Sequence, residues 1–544
     1  MKRVPSILLI VFLSLLPLAS MFFTDKLPHT SDGAMHLARI ASYYKEIVNG
    51  QFPVRWASDL NYGYGTPIFN FFHPLPYYIT TIFVFLGFSL TATLKISFLL
   101  SFIFSGIFMF WAARALFHDE KTAFWVTVFY QFAPFRLVDI FVRGSLGGIY
   151  SYTLLPLILY ALILYKQKEQ FRYFLIAVVS SALLSMSHNI VGFVFFGISA
   201  FMAIFIGKTF RKILPLWASL ACGVLLASTF VIPAILEHNY TYGYLFTKDL
   251  FYNHFPKLYM LFIPNFTNAP SLRVAEVSVQ IGFFHVAALV TSLYLLTQNK
   301  IRSDIKPVFL SLLTMSVVAI LFMHPITLFL WEHISVLRQF QYPWRLMSVI
   351  TFTSALLSAS ILSLIPNFRK AYFYIPILCC VVLSTVCYWN PPEGYDRIDE
   401  SYYWNYPLTT NYYGEVDTIW SEGPAKEYPK NRVDVAAGTA LVNGFVQKGI
   451  TFTYTVSAET PATIVQRTQY FPGWNVLVDN QKVPIEFQDQ NYRGLITYHV
   501  PIGTHKVTVQ FFQSKLQRMS NYLSVITCIG LFLFLIYMRK KSKF

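Results

Sequence analysis

Long runs of apolar residues, separated by short polar connectors, make up most of this chain. An α-helix needs about 20 predominantly apolar residues to cross a bilayer. Runs that approach this length lie at roughly 6–23, 93–116, 149–165, 171–187, 189–206, 213–236, 277–297, 307–332, 343–365, 371–389 and 520–538, and weaker ones lie at 76–90 and 121–135. The pattern therefore predicts a polytopic α-helical membrane protein.

The pattern changes at Asn390-Pro391-Pro392, where the chain becomes polar until about residue 517. Apolar and polar residues then alternate in stretches such as 451–456 and 506–511, and alternation with a period of two is typical of half-buried β-strands. The sequence thus predicts a transmembrane domain over 1–389, an extracytoplasmic β-sandwich domain over 390–517, and a transmembrane anchor with a basic cytoplasmic tail over 518–544.

Composition supports this picture and limits the meaning of the charge. Hydrophobic residues make up 55% of the chain and charged residues 12%, which is not typical of a soluble protein. The formal net charge is +16, but the cations cluster in connectors between the apolar runs. They lie at Lys166, Lys168, Lys208, Arg211, Lys212, Lys300, Arg302, Arg369, Lys370 and in the tail from Arg539. This distribution follows the positive-inside rule and argues against nucleic-acid binding.

Placing those connectors in the cytoplasm defines the expected topology. About twelve helices cross the plasma membrane, and both termini are cytoplasmic. Only one of 76–90 and 121–135 then spans the bilayer, while the other dips in or lies flat. The segments left outside are 24–75, 136–148, 237–276, 333–342 and 390–517.

The sequence contains no cysteine motif and no nucleotide-binding motif that would indicate a further function. All five cysteines lie in apolar runs, without zinc-site or disulfide spacing. No glycine-rich nucleotide loop, G-x-S-x-G elbow or H-E-x-x-H motif is present. The sequence identifies no certain cofactor, and a divalent metal beside Asp32 is the alternative that stays open.

Polar residues gather directly after the first apolar run. On a helix, Asp32, His36, Arg39 and Tyr43 share one face. The opposite face carries Leu37, Ala41, Tyr44 and Val48. The pattern predicts an amphipathic helix at the membrane surface. An acid, a potential proton shuttle and a cation at the bilayer edge suggest chemistry on a lipid-linked, anionic substrate.

Each of these residues also has a structural interpretation. Asp32 follows Thr30 and Ser31 and could cap the helix. We favour catalysis, because an ionisable cluster at a membrane edge is costly to keep without a use. His36 and Arg39 could instead belong to a solvated helix face.

Several motifs, in order along nearly the whole chain, resemble one bacterial membrane family. They are D-x-x-x-H-x-x-R from Asp32, G-x-F-P-x-R-W from Gly50, G-Y-G-x-P-x-F-x-F from Gly63, P-L-P-Y-Y from Pro74, the stretch 133–144, Ser187-His188-Asn189 and Gln341-Tyr342-Pro343-Trp344-Arg345. They resemble the 6-pyruvoyl-tetrahydropterin synthase-related membrane proteins, which have the architecture of GT-C glycosyltransferases. The stretches 470–474 and 503–506 are similar to the C-terminal domain of YfhO-type membrane glycosyltransferases.

The resemblance implies a transferase that moves a sugar from a polyprenyl-phosphate donor to an extracytoplasmic acceptor, which is a cell-envelope glycan, lipid or protein. In GT-C enzymes the catalytic base is usually an Asp in the first external loop, and Asp32 matches that position. A carboxylate there can take the proton of the attacking hydroxyl, and a cation can stabilise the leaving phosphate. Membrane lipids are the remaining expected partners.

One departure from the family pattern concerns a second carboxylate. The pattern places an acidic residue after Val-Arg-Gly, whereas this chain reads Ser145-Leu146-Gly147-Gly148 after Arg143-Gly144. Asp139 is the expected substitute, unless this member is altered in substrate or activity. Asp139 and Arg143 could also form only an i, i+4 helix ion pair.

The first external loop offers further candidate substrate contacts. Arg55 and Trp56 could bind substrate, or they could anchor the loop at the membrane interface. Tyr62 and Tyr64 could stack on sugar rings, or their glycine neighbours could simply form a turn.

The remaining candidates follow the middle apolar runs. His188 and Asn189 could contact substrate or form a polar hinge between two spans. Arg338 and Arg345 could snorkel to the interface, but arginine suits phosphate, and we favour lipid-phosphate binding. We expect the helix after Asp32 to lie roughly parallel to the membrane, with Asp32 and His36 facing a cavity shared with Arg338 or Arg345.

Two other functional classes compete with the transferase. A transporter or flippase would also have many spans, but transporters more often carry charges near the bilayer midplane and show repeated halves. Here the apolar runs are nearly free of charge and the polar residues gather in external loops. A non-catalytic scaffold for envelope assembly is the third class, and it should tolerate loss of the Asp32 carboxylate.

Overall fold

The computed structural model describes residues 5–243, 249–266, 273–274, 277–364, 370–405, 414 and 416–541. It consists of a helical body formed by the apolar runs and a β-sheet domain near the C-terminus. A final helix, Lys515–Lys541, returns from the sheet domain to the helical body.

Five helices are long and apolar enough to cross a membrane: Leu90–Phe117, Leu146–Lys168, Asn189–Gly207, Pro343–Leu364 and Lys515–Met538. Three more candidates are pairs of helices bent at a short break: Glu120–Gln131 with Pro134–Arg143 (46°), Phe210–Leu226 with Ser228–Leu236 (74°), and Lys306–Phe322 with Pro325–His333 (81°). By length and composition, the described residues therefore contain five candidate spans, or up to eight if each bent pair is one span.

This number is lower than the expected twelve because several apolar runs form short helices. They are Ser6–Leu15, Leu75–Phe85, Phe171–Ser185, Phe283–Thr297 and Tyr372–Tyr388. Leu75–Phe85 has 11 residues, and a rise of 1.5 Å per residue makes such a helix about 16 Å long, roughly half of the hydrocarbon thickness. Of the two weaker runs, 121–135 is the better candidate to span, since it lies in the bent pair that begins at Glu120.

Small polar side chains join the long helices. Ser101 and Thr153, on Leu90–Phe117 and Leu146–Lys168, bring their hydroxyls within 2.8 Å of each other. Ser89 caps the first of these helices by accepting a hydrogen bond from the Ala92 N–H at 3.2 Å. Such contacts are typical of helices in lipid, where water offers no partner for a polar group.

Hydrogen bonds join connectors that the charge pattern places on the same side. Lys208 donates to the Asp304 carbonyl at 3.2 Å, which joins two of the basic connectors. The Ser31 N–H donates to the Val142 carbonyl at 3.0 Å, which joins two segments predicted to be external. These contacts are those expected of connectors on the same side of the membrane, and the sidedness itself stays a prediction.

The helix after Asp32 runs over Gly33–Val48, and its middle part is buried on both faces, whereas Val48 at its end is 55% exposed. His36 and Arg39 are each 4% exposed, yet Leu37 and Ala41 on the opposite face are completely buried as well. Protein therefore covers most of this helix, and its orientation relative to the membrane stays a prediction. The helices that pack on it include Leu75–Phe85, Leu90–Phe117 and Glu400–Asn405.

Shorter elements connect these helices. Short helices lie at Ala19–Phe22, Ile68–Phe71, Leu258–Phe262, Leu328–His333 and Ser335–Arg338, and a π-helical turn covers Asp139–Arg143. Two small ladders pair Leu27–Pro28 with Tyr395–Asp396 and Arg273–Val274 with Val277–Ser278.

Eight strands form two antiparallel sheets after residue 432. In one sheet the order is Gln481–Val483, Trp474–Val478, Gly503–Phe511, Thr451–Ala458 and Ala440–Lys448. In the other the order is Leu495–Val500, Ala462–Gln469 and Val433–Ala437. The buried hydroxyls of Tyr454 and Tyr498 meet at 2.7 Å between the sheets. The predicted β domain is confirmed, and its strands occupy 433–511 of the 390–517 segment.

The segment before the strands runs back along the helical body. Glu400 accepts hydrogen bonds from the N–H groups of Leu90 and Thr91 at 2.9 and 2.8 Å, at the start of a long helix. Residues 406–413 and 415, which belong to the predicted sandwich, lie outside the described residues.

Trp56 joins the first external loop to the β domain. Its side chain is completely buried. It meets Trp474 edge to face with ring centroids 5.3 Å apart, and its centroid lies 5.6 Å from that of Phe511. Arg432 of the β domain also donates to the Gly63 carbonyl in this loop. The β domain is therefore fixed on the loop by an aromatic core.

Replacement of this tryptophan tests the junction. Trp56→Ala should lower the free energy of unfolding by about 3–5 kcal/mol, because a buried aromatic leaves a cavity. Thermal unfolding in detergent and proteolysis of the β domain measure the effect. The matched control is Phe52→Ala in the same loop, since Phe52 is 73% exposed. Equal unfolding temperatures for both variants would contradict the conclusion that Trp56 fixes the β domain on the loop.

Glu46 provides a second test, because it is a buried carboxyl in the Gly33–Val48 helix. It accepts hydrogen bonds from the Ser58 N–H and the Gln51 side chain, both at 2.9 Å. Burial nevertheless raises the pKa of Glu46 from 4.5 to about 7. The protonated form is favoured by folding, so its contribution to stability is fully present below pH 4.5 and is lost as the pH rises through about 7.

Glu46→Gln should therefore flatten part of the pH dependence of stability. Between pH 4.5 and 7.5 the wild-type protein should lose up to about 3 kcal/mol relative to the variant, since each pKa unit corresponds to about 1.4 kcal/mol. Unfolding temperatures of both proteins across this range measure the difference. Curves that run parallel would show that Glu46 does not titrate as described.

Candidate active site

Asp32 stands at the start of the Gly33–Val48 helix without capping it. Thr30 caps instead, because its hydroxyl accepts a hydrogen bond from the Gly33 N–H at 3.1 Å. The Asp32 side chain is half-buried and makes no hydrogen bond to any residue that the structure describes. The capping interpretation of Asp32 is therefore not supported, and its carboxylate is available for another role.

The backbone of Asp32 is tied to the segment that carries the second acidic residue. Its N–H donates to the Arg143 carbonyl at 2.9 Å. Arg143 in turn forms an ion pair with Asp139 at 2.5 Å, and Asp139 is only 1% exposed. Two segments about a hundred residues apart in sequence thus bring their carboxylates into one region.

Two glycines permit this close approach. Gly144 has φ +67°, and a Cβ there would lie 2.3 Å from the Thr30 hydroxyl. A Cβ on Gly147 would lie 2.3 Å from the His73 ring. A larger residue would collide with Thr30 at the first position and with His73 and the Ser187 carbonyl at the second. The departure from the family pattern at 145–148 is therefore accompanied by a tightly packed backbone.

His36 lies between a tyrosine and a backbone carbonyl. Its Nδ1 is 3.0 Å from the Tyr77 hydroxyl, and the Gly144 carbonyl accepts a hydrogen bond from the ring. Burial, with a smaller contribution from the nearby Arg39, lowers the pKa of His36 to about 3. The ring is neutral at physiological pH, which favours a positioning role over the proton shuttle suggested by the sequence.

Arg39 lies on the same helix face, above the ring of Phe72 at 3.9 Å. It also interacts with the Tyr77 hydroxyl and with His73. His73 stacks on His188 with ring centroids 5.0 Å apart. Burial lowers the pKa values of both histidines, so the positive charge here comes from arginine alone.

Arg345 completes the group from the start of the Pro343–Leu364 span. Its guanidinium donates to the Phe340 carbonyl and to Gln341 at 2.9 Å each. It interacts electrostatically with Asp32, Asp139 and Arg143. We call this group the outer cluster: Asp32, His36, Arg39, His73, Tyr77, Asp139, Arg143, His188, Trp344 and Arg345.

The outer cluster has more positive than negative groups. It contains the guanidinium groups of Arg39, Arg143 and Arg345 against the carboxylates of Asp32 and Asp139. With the histidines neutral, one positive charge is in excess. An excess of positive charge favours binding of an anion, and guanidinium groups suit the oxygens of a phosphate or carboxylate.

Several polar atoms of the outer cluster are buried without a partner among the described residues. They are Arg345 Nε, Trp344 Nε1, His73 Nε2 and Asp139 Oδ2. A buried polar atom left unpaired costs about 1–3 kcal/mol, and native proteins contain few of them. These four atoms lie in the outer cluster, where a polar ligand would satisfy them, and other such atoms occur elsewhere among the described residues.

Arg55 belongs to a different network. It donates to the side chains of Asn70 and Asn521 at 3.0 and 3.1 Å and is 3% exposed. Glu237 accepts hydrogen bonds from Asn70 and Gln517 at 2.8 Å each. Burial lowers the pKa of Arg55 to about 10, which leaves it charged. This network holds the final helix to the first external loop, so Arg55 has a structural role where substrate contact was expected.

The other candidates of the first external loop lie at the β domain. Trp56 is enclosed by the aromatic junction described above and has no surface for a substrate. Tyr62 meets Tyr428 with ring centroids 5.4 Å apart. The Tyr64 carbonyl accepts a hydrogen bond from the Gln469 N–H at 2.8 Å. None of the three is part of the outer cluster.

Asn189 and Arg338 lie apart from Asp32. Asn189 donates to the Phe71 carbonyl at 2.7 Å beside the cluster member His188. Arg338 folds back on its own loop and donates to the carbonyls of Trp331 and Glu332. Of the two arginines expected to share a site with Asp32, the structure brings Arg345 there and not Arg338.

His73, Tyr77 and Trp344 are members of the cluster that sequence reasoning did not select. A lone histidine beside Pro74 and a tyrosine in an apolar helix give no signal by composition, and only their motif neighbourhood singles them out. Concerning metals, no three His, Cys, Asp or Glu side chains within the described ranges converge closely enough to hold an ion.

Comparisons with known proteins place the chain among membrane proteins. No curated protein matches it in sequence. Among solved structures it is similar to the arabinofuranosyltransferase AftD from Mycobacteria, with 17% identity, a TM-score of 0.48, and coverage of 72% of this chain and 27% of that one. It is also similar to the Archaeoglobus fulgidus oligosaccharyltransferase solved with zinc and sulfate, with 14% identity, a TM-score of 0.41, and coverage of 72% and 54%.

A third similar structure is ArnT from Cupriavidus metallidurans bound to undecaprenyl phosphate, with 13% identity, a TM-score of 0.31, and coverage of 65% of this chain and 77% of that one. The chain thus spans about a quarter of the first neighbour and about half of the second. At these identities and scores the likenesses do not establish an activity.

The family comparison gives a definite result. Residues 69–391, more than half of the chain, match the family described as "6-pyruvoyl-tetrahydropterin synthase related domain; membrane protein". The match includes the cluster members from His73 to Arg345. The chain is therefore a multi-pass membrane protein that belongs to the 6-pyruvoyl-tetrahydropterin synthase-related family.

Proposed function

We propose that this protein is a glycosyltransferase that moves a sugar from a polyprenyl-phosphate donor to an acceptor on the outer side of the plasma membrane. The observation that carries the proposal is the free, half-buried Asp32 carboxylate at the edge of a cluster with three arginines. A base and an anion-binding group at one end of the membrane spans are what transfer from a lipid phosphate requires.

Asp32 is the proposed general base. The acceptor hydroxyl forms a bond to the anomeric carbon of the sugar and gives its proton to the Asp32 carboxylate. The bond between that carbon and the phosphate oxygen breaks, and its electron pair leaves with the lipid phosphate. Asp32 suits this role because Arg143 holds its backbone in place while its side chain is not engaged.

Arg345 is the proposed phosphate-binding residue. Its Nη1 is already bonded to Phe340 and Gln341, whereas its Nε is buried and has no partner among the described residues. Arg143 is less available, because Asp139 pairs with it. A cation at the leaving oxygen stabilises charge that develops as the bond breaks. A lipid donor would bring its phosphate to this level, since its polyprenyl chain stays in the bilayer.

His36 and Tyr77 are proposed to position the base. His36 is neutral and contacts both Tyr77 and the Gly144 carbonyl, so it links the helix that begins at Asp32 to the 139–148 segment. Asp139 fixes Arg143 and takes the place of the acidic residue that the family pattern has after the Val-Arg-Gly stretch. Neither role requires these groups to exchange protons with the substrate.

Replacement of the base is the main test of the proposal. A positioned base typically contributes about 10²–10⁴-fold to the rate, so Asp32→Asn should lower transfer by that factor while folding and donor binding are kept. The assay uses purified protein in lipid with a labelled polyprenyl-phosphate sugar and envelope acceptors. Asp25→Asn is the control, because Asp25 is an exposed carboxylate in the same loop. Full transfer by the Asp32→Asn variant would show that Asp32 is not the general base.

Arg345→Ala should have a different signature. A charge-assisted contact with phosphate is lost in the ground state and in the transition state, so donor binding should weaken and turnover should slow. Arg338→Ala is the matched control, since Arg338 contacts only its own loop in the contacts described above. Donor affinity measured by titration in nanodiscs distinguishes the two variants. Equal donor affinities of the Arg345→Ala and Arg338→Ala variants would show that Arg345 does not bind the donor phosphate.

A further inference from the structure

A polar cavity lies between the first external loop and the β domain, separate from the outer cluster. Its volume is about 280 Å³. Asn61 and Tyr64 line it from the loop, and Gln469 and Tyr492 line it from the β domain. The volume is near the lower end of the range of about 300–1,000 Å³ that small-molecule pockets have. It therefore accommodates a small ligand or one end of a larger one.

The groups that line the cavity suit an uncharged polyhydroxylated ligand. Amide side chains can both donate to hydroxyls and accept from them, while tyrosine rings offer flat apolar faces for packing. The charges around the cavity cancel, because Glu422 and Glu427 oppose Lys426 and Arg493. A balanced rim gives no net attraction for a strongly charged ligand, whereas amides and tyrosines together match the hydroxyls and ring faces of a sugar.

Gln469 gives the cavity a buried polar atom without a partner. Its side chain is 3% exposed, and its Nε2 donates to Ser421 at 3.3 Å. Its Oε1 accepts no hydrogen bond from any residue in the described part of the chain. A buried amide oxygen loses free energy unless a donor reaches it. A ligand hydroxyl in the cavity would be such a donor.

We propose that this cavity binds a saccharide unit of the acceptor glycan, away from the reacting end. The inference rests on the proposed function, since it names the acceptor of that reaction as a glycan. The Gln469 amide receives a sugar hydroxyl, Tyr64 and Tyr492 flank the ring, and no bond is made or broken there.

The position of the cavity relative to Asp32 defines what such an acceptor must be. Asp59, two residues before Asn61, forms an ion pair with Lys45 at 2.7 Å. Lys45 follows Asp32 by thirteen residues on one helix, so these two residues lie about 20 Å apart along its axis at 1.5 Å per residue. The Asn61 side of the cavity is thus tied, through Asp59, to the part of this helix that lies away from Asp32. An acceptor that occupies both sites at once is longer than one sugar, so the acceptor named here is an oligosaccharide or a polysaccharide chain.

Saturation-transfer NMR on the full-length protein in nanodiscs tests the cavity directly. The probes are the methyl glycosides of glucose, galactose, mannose, N-acetylglucosamine and rhamnose, each measured separately without donor. At least one glycoside should receive saturation at its ring protons. Gln469→Leu and Tyr492→Ala should each weaken its binding by about fivefold or more, as loss of a buried hydrogen bond or an aromatic contact predicts.

Control variants separate this proposal from the proposed function. Gln481→Leu, at an exposed glutamine of the same domain, should bind the glycoside as the wild type does. Asp32→Asn should lower transfer about 10²–10⁴-fold and keep glycoside binding unchanged. Should Gln469→Leu fail to fold, Tyr492→Ala decides, because Tyr492 lies half-buried in a loop. Absence of saturation for every glycoside, or full binding by Tyr492→Ala, would overturn the proposal that the cavity binds a saccharide. Neither result would affect the transferase proposal.

Discussion

The free energy needed to hold charge out of water is the constraint on which the outer end of this protein depends. Arg39, Arg143, Arg345 and Asp139 are each less than one-tenth exposed. An isolated buried ion is too costly to persist, so each must lie near an opposite charge, an aromatic face or a carbonyl dipole. The ion pair of Asp139 with Arg143 and the contacts of Arg345 with two backbone or amide oxygens meet this requirement. Asp32 is the acidic member that these contacts leave unpaired.

Apolar patterning was sufficient to predict the two-part architecture. Membrane helices give long continuous apolar runs, whereas half-buried strands give apolar residues at every second position. Apolar patterning does not detect where a run is divided into shorter helices, so the described residues contain five to eight candidate spans by length and composition, and the number of about twelve stays a prediction. The helix after Asp32 shows another limit. Its periodicity indicates which residues share a face, but the apolar protein that covers its polar face comes from distant parts of the chain.

The candidate site was predictable where charge and motif coincide, as at Asp32, Arg143 and Arg345. It was not predictable at Arg55 and Trp56, because an arginine and a tryptophan in a polar loop look the same whether they bind a ligand or another part of the fold. Only the structure shows that Arg55 interacts electrostatically with the buried Glu237 and that Trp56 packs against Trp474. His73 was missed for the opposite reason, since a single histidine carries no pattern.

The network around Arg55 has a consequence for biogenesis. Arg55 and Glu237 are both buried and both take hydrogen-bond partners from the C-terminal segment, Asn521 for the first and Gln517 and Ser514 for the second. A chain that emerges from the ribosome supplies these partners only after every other span has been made. The buried groups of the first external loop therefore obtain their partners only when the helix at 515–541 has been synthesised, and a protein truncated before Ser514 would leave Arg55 and Glu237 incompletely hydrogen-bonded.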